Sequence, residues 1–206
     1  MNNLLTKTKK IGVAIFILMG YFWTFAPLGL MIFGMGPALL VMTFLFKENG
    51  WEINFKKNTM LLAFQTFKSY FKMGNTLFFA YISIITLFIF AYNQIHILNN
   101  IVAAIVTLFI FFVITTCTVV FILALYFGTE NEFKVLDVLV KSWRLISVNL
   151  NFMIRISLIS SVLIFLIYKN INLLFFGLIE IMIIINVILT QKASNQIHEN
   201  ELKNYF

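Results

Sequence analysis

The chain is poor in the residues that carry most chemistry. It has one cysteine, Cys117, two prolines, two histidines and a single aspartate, Asp137, in 206 residues. A lone cysteine excludes an intramolecular disulfide, and its place inside an apolar run leaves the redox compartment undetermined. His96 and His198 fall on opposite expected sides of a membrane, so they do not form a metal site together. There is no His-Glu-x-x-His, no glycine-rich phosphate loop and no cysteine pair. No metal and no cofactor are therefore expected. A hydrolase with paired carboxylates would have to combine Glu180 with a loop residue, so the expectation is that the chain is not an enzyme.

Charge is scarcer still. Residues 11–46, 73–95, 97–129 and 156–168 contain no Asp, Glu, Lys, Arg or His, and residues 171–190 contain only Glu180. Of 23 charged residues, 21 lie between these runs; Arg155 and Glu180 lie inside them. A spanning helix needs about 20 apolar residues. No remaining piece is large enough for a soluble domain, so one membrane domain is expected over residues 1–206.

What the chain does have is apolar bulk: 61% hydrophobic residues, 25 phenylalanines and a mean hydropathy of +0.96. Its net charge of +7 sits on segments that flank the apolar runs. That is the pattern of loops beside anionic lipid; nucleic acid is not an expected partner, since no basic-aromatic soluble module exists to bind it. The preference for Phe, Ile, Asn and Lys over Ala and Arg points to an AT-rich bacterial genome. The basic start followed by an apolar run resembles a signal peptide, but the run outlasts an h-region, so an uncleaved first span is expected.

Lys and Arg number three in the N-terminal tail, five in residues 47–72, none in 93–100, three in 128–144, one at Lys169 and two in the C-terminal tail. The positive-inside rule puts the second and fourth of these segments in the cytoplasm, with residues 93–100 and Lys169 outside and the C-terminus inside. A basic N-terminal tail also reads as cytoplasmic, which asks residues 11–46 to cross an even number of times. One straight helix of that length would run to about 54 Å. Breakers stand at Pro27 and at Gly34, Gly36 and Pro37; proline removes a helical donor and crowds the preceding turn. The preferred expectation is a hairpin of residues 11–26 and 28–46, giving six spans with 74–93, 101–127, 148–168 and 171–190. The alternative is one long helix, a Gly-Pro break and an interfacial helix, giving five.

Two cytoplasmic stretches are amphipathic at helical spacing. In the first, Met60, Phe64, Phe67, Phe71 and Gly74 form one stripe, and Gln65, Lys68, Ser69 and Lys72 the other. In the second, Leu136, Val140, Trp143 and Ser147 oppose Lys134, Asp137, Lys141 and Arg144. Aligning Phe67 with Trp143 also aligns Lys68 with Arg144 and Asn75 with Asn151. A repeat of span, interfacial helix and span is expected over 28–93 and 101–168. The competing explanation is that any basic loop between spans tends to look amphipathic. The expected fold class is thus an all-α polytopic bundle with two cytoplasmic interfacial helices and an internal repeat.

The order of the Gly36-Pro37-Ala38-Leu39 segment, Trp51, Phe64-Gln65-Thr66-Phe67-Lys68-Ser69-Tyr70-Phe71 and Phe133-Lys134-Val135-Leu136-Asp137-Val138-Leu139-Val140-Lys141-Ser142-Trp143 resembles the YesL-like family of bacterial integral membrane proteins. The likeness covers most of the chain through short, apolar-rich motifs. The chain departs from the family after the Gly-Pro pair, where Lys47 stands almost alone in place of an Arg-rich stretch. The resemblance implies a small multispanning plasma-membrane protein of unassigned activity, encoded near carbohydrate-uptake and polysaccharide-degradation genes, and it supplies no catalytic residues.

Glu180 and Arg155 remain. A charge at the bilayer centre costs about 2.5–3.5 kcal/mol on insertion scales. Adjoining antiparallel spans would set the two within about one helical turn of the same depth. Three readings stand: an interhelical clamp, a proton or cation site gated by Arg155, or an Arg155 that snorkels to the surface while Glu180 stays protonated or meets another polar group. Ser147, Asn151 and Arg155 extend a polar stripe from Arg144. The hydroxyls of Thr115, Thr116 and Thr118 are expected to bond their own helix. The expected function is a non-enzymatic accessory or assembly partner of a membrane transport complex, linked to carbohydrate uptake or utilisation. The alternative is a small-solute transporter using Arg155 and Glu180.

Overall fold

The computed structural model describes residues 2–97, 99–130, 134–170 and 178–203. Over these the chain is all-α, with eight helices and no strand: α1 (Asn2–Phe25), α2 (Ile32–Asn49), α3 (Lys57–Ser69), α4 (Phe71–Asn93), α5 (Asn100–Gly128), α6 (Val135–Val148), α7 (Leu150–Lys169) and α8 (Leu178–Lys203). Three stretches are long and apolar enough to cross a membrane, Thr8–Gly29, Phe71–Asn93 and Asn100–Gly128; a fourth arises if α6 and α7, bent by 109°, are taken together. The chain is a membrane-embedded helical bundle. The connection between α7 and α8, where the span over 171–190 was expected to begin, lies outside the described residues.

α2 is the axis of the bundle. It packs most extensively on α4 and α1, and also on α3, α5 and α8. Ala38 to Thr43, Leu45 and Phe46 are all buried. The α1–α2 connection is short. Pro27 ends α1 and opens a single 3-10 turn, Pro27–Gly29, after which Leu30 and Met31 take positive φ of 54° and 63°. Lys10 on α1 reaches Glu52, just beyond α2, at 3.9 Å. The start of α1 therefore lies beside the end of α2, and the two form a hairpin.

Of the four expected helix breakers only Pro27 breaks a helix; Gly34, Gly36 and Pro37 lie inside α2. Proline in a helix interior costs one hydrogen bond and a clash with the preceding turn. Here the surrounding contacts hold the helix together. A Cβ placed on Gly74 of α4 would lie 2.6 Å from the Pro37 nitrogen and 2.8 Å from the Gly36 carbonyl carbon. Backbone meets backbone at this crossing, as small residues allow between helices in lipid. Gly34 serves the turn in the same way, since a Cβ there would lie 2.7 Å from the Ala26 carbonyl carbon.

α4 and α5 form a second hairpin. Tyr81 stacks on Phe121 at 4.4 Å and shares a hydrogen bond of 3.0 Å with Thr118. Asn99 caps α5 by accepting from the Ile101 amide, an N-cap arrangement. At α5's other end Thr129 accepts at its carbonyl from the Tyr70 hydroxyl at 3.0 Å. α6 then follows, with Asp137 accepting from the Lys134 amide at 3.3 Å. The chain turns sharply at Asn149, whose side chain caps α7 through the Phe152 amide at 3.0 Å. The order long helix, short helix, long helix occurs twice, in α2–α3–α4 and α5–α6–α7. The aligned asparagines differ in surroundings, however, Asn75 being buried and Asn151 exposed.

Candidate functional site

Three places concentrate polar chemistry. The first is the buried side of α8. Glu180 is only 2% exposed and its Oε2 has no hydrogen-bond partner. Asn186 Oδ1 and Thr190 Oγ1, further along α8, are equally buried and unpartnered. So are Ser160 Oγ on α7, Thr115 Oγ1 on α5 and Asn75 Oδ1 on α4. Asn186 does donate, through Nδ2, to the Met182 carbonyl at 2.5 Å. α8 packs against α1, α2, α5 and α7, so its polar atoms look into the bundle. Buried polar groups are nearly always paired with protein or ordered water, so an unpaired carboxylate oxygen inside the bundle is a candidate to hold a proton or a water. Among the described residues no three His, Cys, Asp or Glu side chains gather into a metal-binding group.

Arg155 does not complete this site. The ion pairs among the described residues are Lys10–Glu52, Lys47–Glu130 and Lys141–Glu130; Arg155–Glu180 is not one of them. The reason is helical phase. α7 buries Phe152, Ile156 and Ser160, four residues apart, whereas Arg155 is exposed with Ile154, Leu158 and Val162. The direction each side chain faces was not readable from the sequence. The stripe Arg144, Ser147, Asn151 and Arg155 is exposed throughout. Of the threonines, Thr116 and Thr118 do bond their own helix, at the Phe112 and Ile114 carbonyls, while Thr115 does not.

The second place is a charged clamp that sequence reasoning missed. Glu130 accepts from Lys47 Nζ at 3.3 Å through one oxygen and from Lys141 Nζ through the other. Each lysine also lies over an aromatic ring, Lys47 at 4.4 Å from the Tyr126 centroid and Lys141 at 4.7 Å from that of Phe127. The clamp ties the ends of α2 and α5 to α6. Beside it, burial raises the Tyr70 hydroxyl above the usual tyrosine range, and that hydroxyl donates to the Thr129 carbonyl. Glu130 had no local signal: it is one charge in a polar loop, and Lys47 is 83 residues away.

The third place is the outer surface of α3 and α6. The apolar stripes are present; Phe67 and Gly74 of the first are buried, and the rest of both stripes faces outward. On α3 the residues turned inward are Ala63, Thr66 and Phe67, followed by Tyr70 at its C-cap, while Met60 and Phe64 point out, as does Phe71 at the start of α4; Phe67 is 7% exposed and Phe64 55%. On α6 the inward residues are Val138, Ser142, Leu145 and Ile146, and the whole stripe Leu136, Val140, Trp143 and Ser147 is exposed, Trp143 at 57%. At 3.6 residues per turn the outward apolar stripe of α3 lies about 90° round the helix from its buried face. Exposed Lys68 follows on the far side of that stripe, as Arg144 does on α6, and exposed Lys72 stands next in the first turn of α4. Each helix thus shows protein, apolar surface and basic surface in sequence round its circumference. Lys141 is the exception among the expected basic residues, being engaged in the Glu130 clamp.

The chain matches no family model, no curated protein and no solved structure.

Proposed function

We propose that this chain is a multispanning bacterial plasma-membrane protein acting as a non-enzymatic accessory or assembly partner of a membrane transport complex, of the YesL-like kind, linked to carbohydrate uptake or utilisation. The observation that carries this reading is the pair of outward apolar stripes on α3 and α6, each bordered by exposed lysine or arginine. The 109° angle between α6 and α7 lays α6 across the direction of a spanning α7, as an interfacial helix lies. Basic residues at that surface suit a cytoplasmic face, with both termini on the same side. The test is sugar uptake in a deletion strain complemented with the unchanged chain or with Phe64→Ser plus Trp143→Ser. Loss on deletion, restored by the first and not by the second at equal membrane abundance, is expected. Normal uptake in the deletion strain overturns the reading.

A second reading, small-solute transport coupled to a proton or cation, is favoured by the unpartnered Glu180 Oε2. In this form it uses Glu180 without Arg155. Glu180→Gln should then abolish coupled flux in proteoliposomes, and unchanged flux excludes it.

A further inference from the structure

The turn between α1 and α2 is unlike the connection between α4 and α5. Residues 25–42 contain no polar side chain at all, whereas residues 93–100 hold Asn93, Gln94, His96, Asn99 and Asn100. The apolar turn is nonetheless uncovered: Leu28, Ile32 and Phe33 are more than half exposed and Leu30 is 82% exposed. Such a patch is out of place in water.

Most of its amides bond within the turn, those of Leu28 and Phe33 excepted. The amides of Gly29 and Met31 both donate to the Ala26 carbonyl, at 3.3 and 3.1 Å, Leu30 donates to Pro27 at 2.9 Å, and Ile32 to Leu30 at 2.7 Å. That last bond spans two residues and centres on Met31, at φ 63° and ψ −65°, the rare and strained γ-turn. Positive φ at two non-glycine residues costs of order 1–3 kcal/mol each. A turn in water could leave its amides to solvent and relax. A turn in hydrocarbon has no solvent to turn to, and every backbone polar group must be satisfied internally.

Length gives a third line. The uncharged part of α2, residues 32–46, extends about 22 Å at 1.5 Å per residue. The hydrocarbon core is about 30 Å thick. Thr8–Gly29 alone has the length to cross, but the hairpin's shorter arm sets how deep the turn reaches, so the turn stops short of the opposite surface. Packing agrees: Phe33, beside the turn, stacks edge-on against Phe79 of α4 at 5.4 Å, and α4 continues to Asn93, about 21 Å further along its axis. Beyond Phe79 that helix is almost wholly exposed, as expected once α2 has ended.

We propose that α1 and α2 form a re-entrant hairpin whose tip, residues 26–33, lies within the bilayer against acyl chains, with both of its ends on the basic side. The basic side is the one that holds Lys10, Lys47 and Glu52. The hairpin then adds no crossing, and its tip is neither an external loop nor a contact for a soluble partner.

Single cysteines test this in a Cys117→Ser background reconstituted into sealed proteoliposomes. Leu30→Cys is placed at the tip and Asn99→Cys in the polar turn at the other end of α4. A charged, membrane-impermeant maleimide should label Leu30→Cys about 100-fold more slowly than Asn99→Cys from either side, as a site in hydrocarbon requires. A bimane attached to Leu30→Cys in detergent, then reconstituted, should be quenched by phospholipids carrying a spin label on the acyl chain. Labelling of Leu30→Cys at a rate close to that of Asn99→Cys, from either side, overturns the proposal. Slow labelling without quenching by chain-labelled lipid overturns it as well, because the tip would then be covered by protein. Leu28→Cys and Ile32→Cys flank the tip and carry the same expectation should Leu30→Cys fail to fold.

Discussion

The two halves of α5 are both uncharged and both strongly apolar, yet they live in different surroundings. Residues 100–114 are mostly exposed; residues 118–128 are buried almost without a gap among α2, α4, α6, α7 and α8. α4 shows the same contrast, with Gly74, Asn75 and Leu77 buried near its start and a largely open surface from Ile82 to Asn93. In a soluble protein apolarity marks the inside. In lipid it does not, since the hydrocarbon is as apolar as leucine, and helices are held by close packing and polar contacts instead. The packed half of this molecule is marked by small and polar residues: Gly36 against Gly74, Gly128 beside Leu40 and Met73, Thr118 with Tyr81.

The sharpest break of this contrast is a bulky residue at the crossing. Gly36→Leu or Gly74→Leu would drive a side chain into the facing backbone and should destabilise by about 3 kcal/mol, the upper range for overpacking, read as denaturant unfolding in detergent. A loss below about 1 kcal/mol would mean the crossing is looser than the backbone positions require. Next comes the clamp. Glu130→Ala leaves two lysines facing each other and should cost about 1.5 kcal/mol, the lower end for hydrogen bonds to charged groups because the three side chains are part-exposed. Glu52→Ala removes an exposed pair with Lys10 and should be indistinguishable from the unchanged chain. Equal effects would show that the part-buried network adds nothing.

A smaller effect is expected from the two intramembrane charges. Because Arg155 faces outward and Glu180 inward, Arg155→Gln and Glu180→Gln should be additive within about 0.5 kcal/mol in a double-mutant cycle. A coupling several times larger, or rescue of Arg155→Glu by Glu180→Arg, would show that they pair. The smallest change belongs to the open half. Ala104→Leu on exposed α5 surface should stay within about 0.5 kcal/mol, the counterpart to Gly74→Leu on the packed side.

Much of the helical plan was legible. Charge-free runs longer than 20 residues have few options other than a spanning helix, so α4 and α5 follow from their composition, and the polar pair Asn99-Asn100 marks where α5 begins. α3 and α6 were visible from their spacing. What could not be read was which face of each helix meets protein. An outward apolar stripe on α3 has the same 3.6-residue period as an inward one, and only the positions of Ala63, Thr66 and Tyr70 against α2 and its neighbours choose between them. Pro37 misled for a related reason: its cost is local, but the contact that holds it in α2 comes from Gly74, in a different helix. Glu130 and Lys47 were invisible as a pair because nothing in either neighbourhood refers to the other.

The sequence alone determined that this chain lives in a membrane, that it is helical, and that its charge gathers at the loops. Those outcomes follow from the cost of placing charge and unpaired backbone in hydrocarbon, a cost each segment meets separately. The tertiary structure alone decided that α2 becomes the axis, that Arg155 and Glu180 part company, and that three charges close a clamp. Each of these depends on the rotation and depth of one helix relative to another, and in a solvent as apolar as the side chains the hydrophobic pattern carries little of that information.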